Sequence, residues 1–256
     1  MNSAAFREQV RRRFSRRAAS YNQLAQLQQA IAWRLAHWIR QLPLPPGPCA
    51  DLGAGTGLLG QALGEQATSS QAPPTLLQLD LCAELLARNP LPNHRCWDLT
   101  AGLPADQLGA ALLASSFALQ WLPEPGQQLQ RWCAALRPGG WLVLAVPTAA
   151  SFPQWRQAAA AAGVPCTALP LPETDLLINA AAPHLRLRHQ QRLRFLRPYG
   201  DGHRFLRQLS QLGAGTSPSP PLSTAQLRGL LAAWPADGLV SWEVLILIGQ
   251  RVNHQP

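Results

Sequence analysis

The stretch ADLGAGTG, residues 50–57, constrains this chain more than any other eight residues in it. A short apolar run ends at Leu52 and enters a turn holding Gly53, Gly55 and Gly57. LLGQALGEQA follows with the spacing of a helix. Glycines let the backbone turn tightly and let a ligand approach without a Cβ in the way. A glycine pattern alone is a weak signal. Here the context adds to it: the next apolar run, TLLQLDL, ends on Asp80, roughly twenty residues beyond the glycines. A carboxylate at that place can bind both hydroxyls of a ribose.

The rest of the chain continues the alternation. Residues 3–40 have helical spacing, with a break near Ser20–Asn22, and the prolines of QLPLPPGPC end that helical region. CAELLARN predicts a second helix, HRCWDL a weak third strand, and GAALLASSFALQW a strand then a loop. PGQQLQRWCAAL is an amphipathic helix, and RPGGWLVLAVP a Gly-Gly turn followed by a strand. Residues 151–183 read as one helix, FPQWRQAAAAAG, and a Pro-rich loop. LRLRHQQRLRFL is a strand or a tight hairpin; GHRFLRQLSQLGA is a helix stopped by Gly213. STAQLRGLLAAW starts on a Ser223–Thr224 cap, and GLVSWEVLILIGQR is a terminal strand. Alternating strands and helices predict an α/β fold: a mostly parallel sheet with helices on both faces.

Composition narrows the partners. The 256 residues carry a net charge of +9, and all 22 basic side chains apart from His are Arg. The absence of Lys fits a GC-rich coding sequence. The clustering of Arg186, Arg188, Arg192, Arg194, Arg197, Arg204 and Arg207 within residues 185–209 does not follow from that, and it favours an anionic partner. The five Cys are spaced widely with no C-x-x-C pair, so no zinc site is expected and a reducing, cytoplasmic setting is. The basic N-terminus is not followed by the apolar run of a signal peptide, and no run of about 20 apolar residues predicts a membrane span.

Two cofactor classes fit the glycine turn: dinucleotides and S-adenosylmethionine. Gly53-Ala-Gly55-Thr-Gly57, with Asp51 two residues ahead, resembles motif I of the class I methyltransferases. LRPGGWLVLAV resembles that family's late turn and fifth strand. FSRRAASYNQLAQLQ, residues 14–28, resembles the N-terminal signature of the malonyl-[acyl-carrier-protein] O-methyltransferases of biotin synthesis, and SSFALQWLPE its stretch after strand four. FLRQLSQLGAGT and SWEVLILIG resemble its substrate-side helix and last strand. The resemblance runs from about residue 6 to 251. The chain departs from it at Ala54, commonly Cys; at Phe117, commonly Asn; and in CTA before Leu169–Pro170, where many members carry Arg. The Asp often found early in strand four is also missing.

The resemblance implies a single Rossmann-like domain over residues 1–256 with a seven-stranded sheet: a helical lid (1–42), a cofactor core (47–148), a substrate-side insertion (151–235) and a terminal strand (238–251). It implies S-adenosylmethionine held by Asp51, Gly53, Gly55, Gly57, Asp80, Leu81, Asp98 and Leu99, with Asp98 near the adenine amine. Gln28 joins that set or lies, like Gln26, on a solvated helix face. Tyr21 and Trp121 are candidates to wall the acceptor, and Arg207 to pair with its carboxylate. A carboxylate is ionised at neutral pH, so no general base is required and none is expected. The implied acceptor is a malonyl group on acyl carrier protein, an acidic partner that the surface around Arg186, Arg188, Arg192, Arg194 and Arg204 would steer. A monomer is expected, with no nucleic acid, membrane or metal. An RNA methyltransferase, an enzyme for another small acid and a non-catalytic relative are the rival readings.

Overall fold

The computed structural model describes residues 3–69 and 72–252. Residues 1–2, 70–71 and 253–256, including both ends of the expected domain, lie outside the described residues. The strands are β1 (Cys49–Leu52), β2 (Leu77–Asp80), β3 (His94–Cys96), β4 (Ala110–Ser116), β5 (Leu136–Pro147), β6 (Leu185–Pro198) and β7 (Leu239–Arg251). They form one seven-stranded sheet in the order β3-β2-β1-β4-β5-β7-β6. The first five are mutually parallel, whereas β7 runs antiparallel to both β5 and β6.

The helices are α1 (Ser3–Arg17), α2 (Tyr21–Leu24), α3 (Gln26–Ile39), α4 (Leu58–Glu65), α5 (Ala83–Leu86), α6 (Pro125–Ala135), α7 (Pro153–Ala161), α8 (Thr174–Ala181), α9 (Gly202–Gln211) and α10 (Thr224–Ala232). Two buried layers sandwich the sheet. On one face Ile31 and Leu35 of α3, Leu59 of α4 and Phe205 of α9 pack against Val143 and Ile246. On the other, Trp132 of α6 and Leu177 of α8 pack against Leu144 and Leu245. Alternate residues of β5 thus face opposite layers, as the pleat requires, and both are apolar because both are covered.

The expected helices and strands form, with three differences and one choice settled. TDLLINAA folds as α8 where a Pro-rich loop is expected; its apolar Leu177, Ala180 and Ala181 are spaced for one face. Of the two forms expected for LRLRHQQRLRFL, the strand is the one found: β6 is a single strand with a register irregularity between Leu187 and His189. The helix after Asp80 is one turn, α5, and not the whole of CAELLARN. β5 begins at Leu136, ahead of Gly139–Gly140, and its pairing to β4 shifts register there. Ser223 and Gln226 form a capping box on α10, as the sequence signals. Among the described residues no helix is long and apolar enough to cross a membrane.

Parallel strands place their C-terminal ends on one rim, where ligands bind in open α/β sheets. β1 and β2 both end there, and the glycine turn leaves β1 with Gly53 at φ 77°. A Cβ at Gly53 would collide with Ala118, just beyond β4. Gly53→Ala is therefore expected to destabilise the fold by about 1–3 kcal/mol, through left-handed backbone and steric overlap together. Thermal unfolding of the variant measures it; an unchanged midpoint contradicts the role given to this close approach.

Candidate active site

A large cavity opens at that rim and is lined by the turn Gly53–Gly55, by Asp51, Asp80 and Asp98, and by residues of α1. Its space, open mouth included, is about 1020 Å³. Asp80 is the clasp. Its Oδ2 accepts from the Gly55 amide at 2.8 Å and its Oδ1 from the Cys82 amide at 2.7 Å. One carboxylate thereby fixes both loops that leave β1 and β2. Burial raises the Asp80 carboxyl above its ordinary value, and the amides of Cys82, Gly55 and Leu81 counter the rise.

Asp51 faces the same cavity from inside β1, only 2% exposed. No hydrogen-bond partner reaches its carboxylate among the described residues. Burial, with the charge of Asp80 beside it, pushes Asp51 from 3.8 up to about 7. A buried acid in that condition lacks a counter-charge. Asp98 is differently placed: its Oδ1 accepts from the Thr100 amide and hydroxyl, at 2.9 and 2.7 Å, and its Oδ2 pairs with Arg7 at 3.0 Å. Leu81 and Leu99 line the wall on that side.

The N-terminal helices form a roof. Beyond the Arg7–Asp98 pair, Asn22 accepts from the buried Thr56 hydroxyl at 2.6 Å. The Phe14 ring meets Trp121 edge-on, with centroids 5.5 Å apart, and Tyr21 at 6.2 Å. Tyr21 is half-buried, and burial plus Asp80 hold its hydroxyl protonated. Gln28 is buried, not on a solvated face; Gln26 is the exposed one and accepts from Arg197.

A second cavity adjoins the first. Phe14, Tyr21, Gln28, Phe117 and Trp121 line both. The second extends between α7, α9 and the loop that follows α9, among Phe152, Trp155, Leu209, Leu212 and Trp242. Phe117 stands at the junction with φ 56°, a left-handed conformation that costs a residue with a Cβ about 1–2 kcal/mol. Gln120 Nε2 donates to the Phe117 carbonyl at 2.6 Å, and the Phe117 amide donates to Ala145 at 2.9 Å, holding the strained turn. An Asn in this position would take this conformation more readily.

Tyr21, Trp121, Gln28, Gly53, Gly55 and the three aspartates therefore meet in one place. Gly57 does not line the cavity; it starts α4 with φ 79°, against Asn89. Arg207 is not brought there either. It lies on the exposed face of α9, while Phe205 and Leu209 hold the inner face, and no charged side chain among the described residues lines the second cavity. The arginine cluster is divided. Arg186 pairs in register with Gln250, level with Trp141 at the start of the parallel run, whereas Leu193 is level with Pro147 at the cavity. Arg186 and Arg188 thus sit about 20 Å from the rim. Arg192 and Arg194 are paired within the chain, to Asp175 at 2.7 Å and Glu243 at 2.9 Å. Trp155, Gln120 and Thr216, also at the second cavity, were not legible in the sequence: no spacing marks them.

The sheet order, the glycine turn and the clasped carboxylate match the class I methyltransferase fold. A Bacillus halodurans protein assigned to the methyltransferases superposes with a TM-score of 0.59 at 11% identity, covering 86% of this chain and 99% of its own. Among named proteins the chain is similar to the malonyl-[acyl-carrier protein] O-methyltransferases. It is 28% identical to the Magnetococcus marinus protein of that name over 85% of this chain and 82% of the relative. It is likewise 28% identical to the Xylella fastidiosa protein over 96% and 88%. A Bordetella avium biotin biosynthesis bifunctional protein is 31% identical over 90% of this chain, which spans 49% of that relative. No protein-family model matches the chain.

The state of Asp51 has a measurable consequence. Below about pH 4 its carboxyl is protonated in both folded and unfolded chains. Between 3.8 and about 7 only the folded chain keeps the proton, so stability falls as pH rises through this window. Above it the folded chain carries the full cost of a buried charge. Asp51→Asn should stabilise the ligand-free protein most above pH 7, with the gain shrinking toward pH 4. Thermal unfolding across pH tests this, and a pH-independent gain contradicts it.

Proposed function

We propose that this protein transfers a methyl group from S-adenosylmethionine to the free carboxylate of a malonyl thioester on acyl carrier protein, early in biotin synthesis. The observation that carries the reading is the pair of cavities meeting at Tyr21, Phe117 and Trp121, one acidic and glycine-lined, the other aromatic. The names of the relatives point the same way.

The acidic cavity suits the cofactor. The unpartnered Asp51 supplies the counter-charge an ammonium group needs, and Asp80, its inner lone pairs held by amides, has lone pairs left for ribose hydroxyls. Gly53 and Gly55 keep the approach open, with Leu81 and Leu99 against the adenine. Asp98 already holds Arg7, so at that end the lid helix and the adenine amine share one carboxylate. When bound, S-adenosylmethionine supplies an electrophilic methyl on a positive sulfur. Phe14, Tyr21 and Trp121 close the roof, exclude water and hold the acceptor oxygen in line. The acceptor enters already ionised, so no side chain has to take a proton.

The partner surface is smaller than the sequence cluster. Arg204 and Arg207 on the outer face of α9, with Arg16 and Arg17 at the end of α1, lie within a few turns of Leu209 and Phe14 in the cavity walls. We assign carrier docking to these four. Arg186 and Arg188 at the far end are left out of it, where arginines on an edge strand discourage strand pairing between molecules.

The test incubates the protein with methyl-labelled S-adenosylmethionine and malonyl-acyl carrier protein, with malonyl-CoA, free malonate and RNA in parallel. Base-labile label on the malonyl carrier, well above the other acceptors, is the expected result. Label on RNA, or only on a free acid, overturns the reading. Arg204→Glu combined with Arg207→Glu should lower kcat/KM for the carrier-bound acceptor by about tenfold and flatten its salt dependence.

A further inference from the structure

β6 carries five arginines, and the pleat sorts them. Arg186, Arg188, Arg192 and Arg194 fall on its exposed side. Arg197 falls on the other, in line with Leu193, Phe195 and Tyr199, which pack on the layer that holds α3 and α9. Its guanidinium donates to Gln26 Oε1 at 3.1 Å and lies 5.7 Å from the centre of the Tyr199 ring. No carboxylate pairs with it among the described residues. This half-buried cation stands in the wall of a third cavity, about 270 Å³ with its mouth, between the start of α3, the end of β6 and α9. The third cavity shares Leu209, Leu212 and Trp242 with the aromatic one, and Gln28 borders all three. Gln28 is 8% exposed, and its carboxamide has no hydrogen-bond partner among the described residues. Neither its nitrogen nor its oxygen is sealed in protein, as the Trp155 nitrogen is, so both can reach a ligand.

An acyl group rides on its carrier at the end of a pantetheine arm, which runs from a phosphate through two amides to the thioester. We propose that the third cavity is the entry for that arm and that Arg197 binds its phosphate, with Gln28 taking an amide on the way to the aromatic cavity. The inference rests on the methyl-transfer reading and deepens it. The order of groups along the cavities matches the order along the arm: a cation at the mouth, an unpartnered carboxamide within, then an aromatic wall beside the acidic cavity. A guanidinium has five N–H donors in a fork that fits phosphate, and Arg197 uses one on Gln26. Gln26 accepts that bond through its oxygen, which leaves its amide N–H groups for the same phosphate. Gln208 of α9 lines the entry, with Arg207 beside it in the chain and Arg204 one turn earlier. The docking arginines and the entry therefore lie on one helix. Coenzyme A carries a phosphate at the same point of the arm, so this contact serves both thioesters, and the comparison of acceptors above separates them.

The experiment measures, by calorimetry, binding of malonyl-phosphopantetheine and malonyl-pantetheine to wild type and Arg197→Gln, and separately the turnover of malonyl-acyl carrier protein. The two small ligands differ by one phosphate. Wild type should bind the phosphorylated one about tenfold more tightly, and Arg197→Gln should hold the two alike. The same variant should lower kcat/KM for the carrier-bound acceptor by roughly tenfold. Equal affinities in wild type, a preference that survives in Arg197→Gln, or no binding of either ligand overturns the subsite, while turnover keeps the function standing. A preference that depends on Arg197, without turnover, upholds the subsite and overturns the methyl-transfer reading. Neither preference nor turnover overturns both.

Discussion

The Asp80 carboxylate is the contact on which the rest of the site depends. Its two oxygens take the amides of Gly55 and Cys82, and so tie the loop after β1 to the loop after β2. Without that tie, two short parallel strands would end in independent loops. With it, the glycine turn is presented as a fixed wall, and Asp51 lines the same cavity beside a second acid. Two buried carboxylates at close quarters disfavour the ligand-free fold, a cost that a cationic ligand would offset.

The roof converts that wall into an enclosed site. α1 is poor in apolar residues and buries only Val10. It is held by side-chain contacts: Arg7 to Asp98 and Thr100, Arg11 to Glu84, and Phe14 against Tyr21, Trp121 and Gly213. Asp98, Tyr21 and Trp121 themselves line the cavities, so the helix is fastened to the walls that it covers. The same contacts join the N-terminal helices to the loop after α9, so both cavities share one cover.

Charge is distributed with similar economy. Of the arginines that draw the eye in the sequence, some are spent on internal pairs with Asp175 and Glu243, and some stand far from the rim. Glu243 shows the effect: burial alone would raise its carboxyl, but bonds from Thr148 and Arg194 bring it below its ordinary value. The fold itself does not prescribe chemistry. What points to methyl transfer here is the set of side chains at the rim.

The sequence by itself determined the fold class and the acidic half of the site, because both are local. A strand, a glycine turn and a helix are written in consecutive residues, and Asp80 follows at a spacing that a parallel sheet makes unavoidable. The apolar runs of β4, β5 and β7 likewise announce a sheet covered on both faces. The second cavity was decided only by the tertiary structure. Trp155, Thr216 and Gln120 come from α7, a loop and a short turn, and they converge because α7, α9 and β7 pack on one face. Arg207 illustrates the converse: its neighbours in sequence enter the core, but helical periodicity turns it outward. α8 stayed hidden because two amphipathic turns after a run of prolines look like a loop until α6 packs against them. Patterns within a segment are legible in sequence; which segments share a wall is fixed by packing.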